Sequence, residues 1–186
     1  MKVLVAVYSK TFNTRKVATS IREAMGADLT LIEDAKPRGR ALGAIQAMLR
    51  WKPAIKPCRT DLKDYDLLVL CCPTWSKSPP PAINSYIAGL QHTEGKKLAV
   101  AVTMGGSGGD RVVSRIRNTL ENKGMWFMDN MILRTSDVQN GGYFRSADQF
   151  VSRVKSKAAR PYVIEKTKKK VRRIASLLNT LMKIVR

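Results

Sequence analysis

Val3-Leu4-Val5-Ala6-Val7-Tyr8 is followed directly by Ser9-Lys10-Thr11-Phe12-Asn13-Thr14, and then by a segment of helical period that ends at Gly26. The unbroken apolar run predicts a strand that is buried on both faces. From residue 13 to residue 25 the apolar side chains share one face, and Gly26 stands where a helix C-cap prefers glycine. A buried strand, a polar loop and a helix in this order predict an α/β fold built on a parallel sheet.

The same alternation continues along the chain. Further strands are predicted at 29–32, 65–72, 97–103 and 126–133, and further helices at 80–87, 111–123 and 146–157. Two segments lie outside the alternation. One is an insertion at 36–57, with a short helix predicted at 41–51; the other is the C-terminal segment after residue 160. We therefore expect one domain at 1–160 and an extension at 161–186.

Composition excludes several classes of protein. The 186 residues suffice for one well-buried domain, and 44% hydrophobic with 26% charged residues is ordinary globular usage, which argues against disorder or a fibrous repeat. The charge is unusual, because 34 Lys and Arg against 14 Asp and Glu give a formal net charge of +20. Such an excess predicts attraction to a polyanion, which can be an acidic protein, an anionic membrane or nucleic acid.

The charge is concentrated in the C-terminal extension. From Val151 onward there are twelve Lys and Arg and one acidic residue, Glu165. Residues 166–186 carry an apolar stripe at helical spacing opposite a polar side, as in a basic amphipathic helix. Two interpretations stay open: the helix binds an anionic membrane surface, or it packs on its own domain or on a second copy in a homodimer.

The cysteines and the N-terminus bear on the compartment. Cys58, Cys71 and Cys72 form neither an even framework nor a Cys-x-x-Cys pair, so no disulfide scaffold and no metal site is predicted. The apolar run at the N-terminus is too short for a signal-peptide core, and no stretch approaches the roughly 18 apolar residues of a membrane span. We expect a cytoplasmic protein, with peripheral attachment to the inner face of the membrane as an alternative.

The candidate ligand site lies in three loops that follow predicted strands, since ligands of open α/β sheets bind beyond the carboxyl ends of the strands. In the first loop, hydroxyl and amide side chains open a helix whose free N–H groups attract anions such as phosphate; simple helix capping is the alternative. In the second, a proline-rich loop presents an indole that can stack on a flat ring or merely cover the sheet edge. In the third, glycines let the backbone approach a ligand closely, or form a plain flexible loop. The candidate residues are Ser9, Lys10, Thr11, Phe12, Asn13 and Thr14; Pro73, Thr74, Trp75, Ser76, Lys77 and Ser78; and Thr103, Met104, Gly105, Gly106, Gly108 and Gly109.

Together these loops resemble those of the flavodoxin-like family, in particular its short, single-domain FMN-binding members of bacteria and archaea. The first loop is similar to the family's phosphate loop, Thr/Ser-x-Thr-Gly-Asn-Thr, and Pro73-Thr74-Trp75 is similar to its ring-binding loop. The resemblance covers about residues 1–157 and implies a three-layer fold with strand order 2-1-3-4-5 and FMN as the cofactor. It implies that Ser9, Thr11, Asn13 and Thr14 hold the phosphate, and that the second and third loops flank the ring.

The sequence departs from the family pattern at several positions. Phe12 replaces the usual Gly of the phosphate loop, which matters if that position needs a positive φ. Cys71-Cys72 replaces Gly-Thr; adjacent strand residues face opposite ways, so we expect two buried thiols without a bond between them. Lys77 replaces a common Gly. The basic charge is the reverse of the acidic surface of ordinary flavodoxins.

Three functions are compatible with these features. The first is an FMN-dependent electron carrier that shuttles between redox partners and docks on an acidic redox protein. The second is an NAD(P)H-dependent quinone or flavin reductase at a membrane surface. The third, a flavin-free module that binds nucleic acid, has the least support, because no helix-turn-helix or exposed aromatic-basic array accompanies the charge. His92, the single histidine, is predicted to be solvated rather than catalytic.

Overall fold

The computed structural model describes residues 1–36, 49 and 51–159. Their strands are β1 (Val3–Val7), β2 (Asp28–Leu31), β3 (Leu67–Pro73), β4 (Lys97–Met104) and β5 (Trp126–Arg134). Their helices are α1 (Asn13–Met25), α2 (Pro81–Gly89), α3 (Gly109–Glu121), α4 (Thr135–Gln139) and α5 (Tyr143–Ala158). Every predicted strand and helix within the described ranges is present, with ends shifted by a few residues at most.

The five strands form one parallel sheet of order β2-β1-β3-β4-β5. This confirms the predicted flavodoxin-like α/β topology. Because β1 continues to β2 on one side and β3 lies on its other side, the order of strands reverses between β1 and β3. The loops that follow these two strands and β4 therefore meet at the carboxyl edge of the sheet, where open α/β sheets bind ligands.

Helices cover both faces of the sheet and bury two apolar layers. Side chains of α2 and α3 pack on one face, and those of α1, α4 and α5 pack on the other. The central strands β1 and β3 are buried along nearly their whole length, as their unbroken apolar sequences predict. The sheet is thus a rigid base for the loops at its carboxyl edge.

Cys71 and Cys72 lie in the middle of this core. Both thiols are free and fully buried, and their side chains belong to the two different apolar layers. This confirms the expectation of two buried thiols that face opposite ways. Burial raises the pKa of Cys71 to about 12 and that of Cys72 further still. Both thiols therefore stay protonated and act as small apolar groups.

The segment that joins β2 to β3 is fixed to the edge of the sheet by a polar cluster. The Tyr65 hydroxyl donates to Asp28 Oδ2 at 2.7 Å, and Arg59 Nη1 lies 3.2 Å from the same oxygen. The hydrogen bond from Tyr65 lowers the pKa of Asp28, and Arg59 adds to the effect. The Arg59 N–H donates to Thr30 Oγ1 of β2 at 3.1 Å. This cluster holds the segment along β2 and shields part of that edge strand.

Helix α5 runs antiparallel to the strands and is held by β5. Asp129 Oδ2 lies 2.8 Å from Arg153 Nε and 3.4 Å from Lys157 Nζ. Lys97 Nζ, at the amino end of β4, donates to the carbonyl of Ala158 at 2.9 Å. The last turn of α5 therefore lies at the amino edge of the sheet, opposite the three ligand loops.

Two predictions fall outside the described residues: the helix at 41–51, apart from Leu49 and Trp51, which are not helical, and the extension at 161–186 with its amphipathic helix. α4, a short helix directly after β5, has no counterpart among the predicted elements. No helix within 1–36, 49 and 51–159 is long and apolar enough to cross a bilayer.

Candidate functional site

The first loop ends in the N-terminus of α1, and its backbone leaves hydrogen-bond donors unused by the helix. The first intrahelical bond runs from the Lys16 N–H to the Phe12 carbonyl at 2.9 Å. The N–H groups of Asn13, Thr14 and Arg15 consequently have no intrahelical acceptor. Together with the positive end of the helix dipole, they are suited to hold a phosphate.

Phe12 takes the backbone conformation that glycine would take at its position. It is the N-cap of α1 with φ 61° and ψ −12°, and its side chain makes no capping hydrogen bond. Its ring is 61% exposed, so no burial of the side chain accounts for the conformation. A left-handed non-glycine residue costs roughly 1–2 kcal/mol. The predicted phosphate loop therefore has a left-handed turn residue at Phe12 and stores backbone strain there.

A buried pair of hydroxyls ties the first loop to the third. Thr14 Oγ1 and Thr103 Oγ1 lie 2.7 Å apart, and both residues are almost fully buried. Thr14, a predicted phosphate ligand, thus shares its hydroxyl with the end of β4. The hydroxyl of Thr11 lies 3.4 Å from Asn13 Nδ2 on the exposed side of the loop. The first and third loops therefore lie against each other, as the strand order predicts.

The second loop contains a tight two-residue turn. Trp75 and Ser78 exchange both backbone hydrogen bonds, at 2.9 and 2.8 Å, and the central residues Ser76 and Lys77 have φ of 46° and 58°. Positive φ at both central positions defines a type I′ turn, which usually contains Asn and Gly. The Arg115 guanidinium donates to Ser78 Oγ at 2.8 Å and connects the loop to α3. The turn holds Trp75 in one place at the carboxyl edge.

Trp75 lies between the first loop and the core. Its indole is half-buried and packs on the apolar layer under α2 and α3. Tyr8 meets it edge to face at 5.7 Å between ring centroids, and Lys10 Nζ lies 5.2 Å from the indole centroid. The Tyr8 hydroxyl donates to Asp34 Oδ2 at 2.9 Å, which fixes the tyrosine ring. The indole thus covers the carboxyl edge of the sheet, next to Lys10 of the first loop.

The third loop approaches the second so closely that one glycine is required. A Cβ on Gly108, whose φ is 94°, would lie 2.9 Å from Lys77 Cα. At Gly109, the first residue of α3, a Cβ would lie 2.6 Å from an Ile132 methyl group. Gly105 and Gly106 have open space around them, just past Met104 at the end of β4. The loop therefore combines a fixed contact with Lys77 and an open stretch of backbone that a ligand can approach.

Two polar atoms of the site are buried and lack partners in the protein. Within the ranges that the structure describes, Ser9 Oγ and Thr74 Oγ1 are the buried side-chain oxygens or nitrogens for which no hydrogen-bond partner is present. A buried hydroxyl without a partner costs roughly 1–3 kcal/mol, so such atoms in native proteins usually serve a ligand or a water. One belongs to the predicted phosphate loop and the other to the predicted ring-binding loop. The donor set therefore fits a phosphate-bearing ligand with a flat ring.

The family model for NADPH-dependent FMN reductases matches residues 1–138, which contain all three loops. The chain belongs to this FMN reductase family. It is an FMN-binding flavoprotein with a flavodoxin-like fold, and the family supports FMN as its cofactor. This confirms the flavodoxin-like family resemblance and the cofactor that the sequence predicted. The role of each site residue stays a prediction.

Solved structures of other proteins share the fold of this chain. A flavoprotein from Bacteroides uniformis superimposes with a TM-score of 0.69 at 22% identity, covering 81% of this chain and 97% of its own. A flavoprotein from Bacteroides eggerthii gives 0.63 at 24% identity, covering 75% and 94%. A flavoprotein from Lactobacillus acidophilus, solved in complex with FMN, gives 0.61 at 20% identity, covering 75% and 97%. No curated protein matches the chain.

Sequence reasoning missed two residues that shape the site of this flavoprotein. Tyr8 was assigned only to a buried strand, although it contacts Trp75. Arg115 falls within the predicted helix at 111–123 and was given no role, although it binds Ser78. His92 is exposed at 55% of its side chain and lies 2.7 Å from Asp61, away from the three loops. In the part of the chain that the structure describes, no three His, Cys, Asp or Glu side chains are grouped to hold a metal ion.

Proposed function

We propose that the protein is an FMN-dependent reductase that accepts hydride from NADPH and passes electrons to an acceptor. The observation that carries this proposal is the pair of buried, unpartnered hydroxyls, Ser9 Oγ and Thr74 Oγ1, in two loops of a chain that belongs to the FMN reductase family. The described part of the protein supplies no hydrogen-bond partner for these hydroxyls, and bound FMN would supply one.

The residues of the three loops would divide the work of binding. The N–H groups that open α1 and the Ser9 hydroxyl would hold the FMN phosphate. Thr74 and Trp75 would hold one side of the ring, and the open backbone at Gly105 and Gly106 would allow close approach from the other. When bound, FMN supplies the capacity to take up hydride and release electrons.

The charges of the site would favour reduction. Lys10 Nζ lies 5.2 Å from the centroid of Trp75, in the predicted ring-binding loop. Positive groups near a cofactor that gains negative charge favour its reduced form. One lysine at about 10 Å, with an effective dielectric constant of about 20, contributes on the order of 1.7 kcal/mol before solvent screening.

The experiment that tests binding uses Ser9→Ala and Thr74→Ala. Each substitution removes a buried hydroxyl that has no partner in the protein, so the FMN-free form keeps its stability or gains some. If FMN uses the hydroxyl, each variant binds FMN about 2- to 12-fold more weakly, as expected for one hydrogen bond. FMN absorbance or fluorescence titration measures the affinity, and thermal melting measures the stability. Ser114→Ala, on the exposed face of α3, is the matched control.

Turnover is measured as NADPH oxidation by the FMN-loaded protein with a quinone or free flavin as acceptor. Steady oxidation above that of free FMN supports the proposal. Unaltered FMN affinity in both alanine variants would contradict the assignment of the hydroxyls, and absent NADPH oxidation would contradict the reductase.

A second candidate, an electron carrier that docks on an acidic redox protein, is favoured by the net charge of +20. A carrier would bind FMN, would not oxidise NADPH by itself, and would accept electrons from a separate reductase at a rate that falls steeply with salt.

We further propose that the basic extension at 161–186 attaches the protein to an anionic surface, whether it is a reductase or a carrier. Packing of the extension on a second copy is the alternative. Liposome sedimentation and analytical ultracentrifugation separate these two outcomes.

A further inference from the structure

A cleft of about 400 Å³ lies beside the first ligand loop, between α1 and the start of α5. Its volume is typical of small-molecule sites. We call it the α1–α5 cleft; its lining residues are Phe12, Arg15, Lys16, Thr19, Ser20, Glu23, Tyr143 and Phe144. Phe12 belongs to both sites, because its backbone forms the phosphate loop and its ring lines the cleft. The cleft therefore adjoins the predicted phosphate loop.

Two phenyl rings give the cleft aromatic walls. Phe12 and Phe144 are 61% and 56% exposed, and both line the same cleft, so they form an exposed aromatic patch. Phe144 stacks on Tyr143 with 4.2 Å between ring centroids and 28° between planes, and Tyr143 is buried. Phe144 therefore packs on a buried ring and keeps more than half of its surface exposed at the cleft. Such surfaces bind the faces of aromatic rings, including nucleobases.

Two cations lie beside these rings. The Arg15 guanidinium carbon is 5.9 Å from the centroid of Phe12, and Lys16 follows it on α1. In residues 1–36, 49 and 51–159, no acidic side chain pairs with either. Glu23 lies about 10 Å from Lys16 along the helix axis, because the two residues are seven positions apart. Thr19 and Ser20 place hydroxyls between the cations and this carboxylate.

We propose that the α1–α5 cleft binds the adenosine 2′-phosphate half of NADPH, with the base against Phe12 and Phe144 and the 2′-phosphate on Arg15 and Lys16. The inference rests on the proposed function, because it assigns the remote half of the same reductant. The 2′-phosphate is a monoester and carries up to two negative charges, whereas each phosphate of the NADPH diphosphate bridge carries one. Two cations without acidic partners therefore suit the 2′-phosphate better. NADH lacks this group, so Arg15 and Lys16 give the site a preference for NADPH.

The test uses the full chain loaded with FMN, at about 150 mM salt so that nonspecific attraction to the basic protein is screened. Calorimetric titration compares adenosine 2′,5′-bisphosphate with adenosine 5′-phosphate and with inorganic phosphate. We expect the bisphosphate to bind at least about 10-fold more tightly than the monophosphate. Arg15→Gln combined with Lys16→Gln should remove that preference, and Phe144→Ser should weaken both nucleotides. Arg145→Gln is the control, since Arg145 is exposed beside Phe144 but does not line the cleft.

Kinetics provides the second measurement. The double Gln variant should raise KM for NADPH at least about 10-fold more than KM for NADH. Equal binding of the two adenosine phosphates, or equal losses in the double variant and in Arg145→Gln, would overturn the proposal. Binding of the bisphosphate does not depend on hydride transfer. Specific binding without NADPH oxidation therefore supports the proposed role of the cleft and refutes the reductase function. NADPH oxidation without any dependence on Arg15 and Lys16 refutes the cleft and leaves the reductase in place.

Discussion

Replacing Gly108 by alanine tests whether the second and third loops are locked together. At φ 94° an alanine occupies a left-handed backbone conformation, which costs an L-residue roughly 1–2 kcal/mol. Its Cβ would also lie 2.9 Å from Lys77 Cα, a backbone atom that moves only with the whole turn, and overpacking of this kind costs roughly 1–3 kcal/mol. The reduced entropy of the unfolded chain returns about 0.5–1 kcal/mol. We therefore expect a net loss of about 3 kcal/mol.

Thermal melting of the FMN-free protein checks this magnitude. For a chain of this size, about 3 kcal/mol lowers Tm by roughly 10 °C. Displacing the turn at Lys77 should also weaken FMN at least about 10-fold in an absorbance titration. Gly105→Ala is the matched control, because Gly105 has open space and no positive φ; its stability should change by less than about 0.5 kcal/mol. Equal Tm values for the two alanine variants would refute the contact between the loops.

Three further predictions concern other parts of the domain. Phe12→Gly relieves the left-handed strain and should leave Tm unchanged or raise it, whereas Phe12→Val should lower stability by roughly 1–2 kcal/mol, because a β-branched residue resists positive φ. Thr14→Val leaves the Thr103 hydroxyl buried without its partner and should cost roughly 1–3 kcal/mol in urea unfolding; adding Thr103→Val should recover part of the loss, and simple additivity would contradict the hydrogen bond. Asp129→Asn weakens the attraction between β5 and the cations of α5 and should cost about 1 kcal/mol, more than Glu121→Gln in an exposed helical pair; equal losses would show that the half-buried position of Asp129 adds nothing.

The fold was predictable because its strands carry a simple signal. The unbroken apolar runs of β1, β3 and β4 are long enough for a strand and too short for a helix, and each leads into a polar or glycine-rich loop. β5 was harder, since Asp129 and Asn130 interrupt its apolar sequence. The structure supplies the reason: β5 is an edge strand whose pairing with β4 skips Met128, and Asp129 pairs with α5. The helix α4 is too short to show a period.

The candidate site was predictable as a set of loops and less so as a set of contacts. Strand order alone brings the three loops together, and the departures at Phe12 and Lys77 could be located from spacing. Their consequence could not, because a sequence pattern does not show whether phenylalanine or lysine accepts a positive φ; in the structure both do. The same holds for the partners of Thr14 and of Ser78, which come from residues far away in the chain.

The direction of α5 has a practical consequence for handling the protein. Its sixteen residues span about 24 Å, from the edge that carries the ligand loops to the opposite edge, where Lys97 holds Ala158. A fluorophore, fusion partner or resin joined to the chain just after this point starts on the side of the domain opposite the three candidate ligand loops. Labelling there should leave the carboxyl edge of the sheet open to solution, whereas a tag at the N-terminal end of α5, beside Phe144, would lie next to the candidate ligand loops.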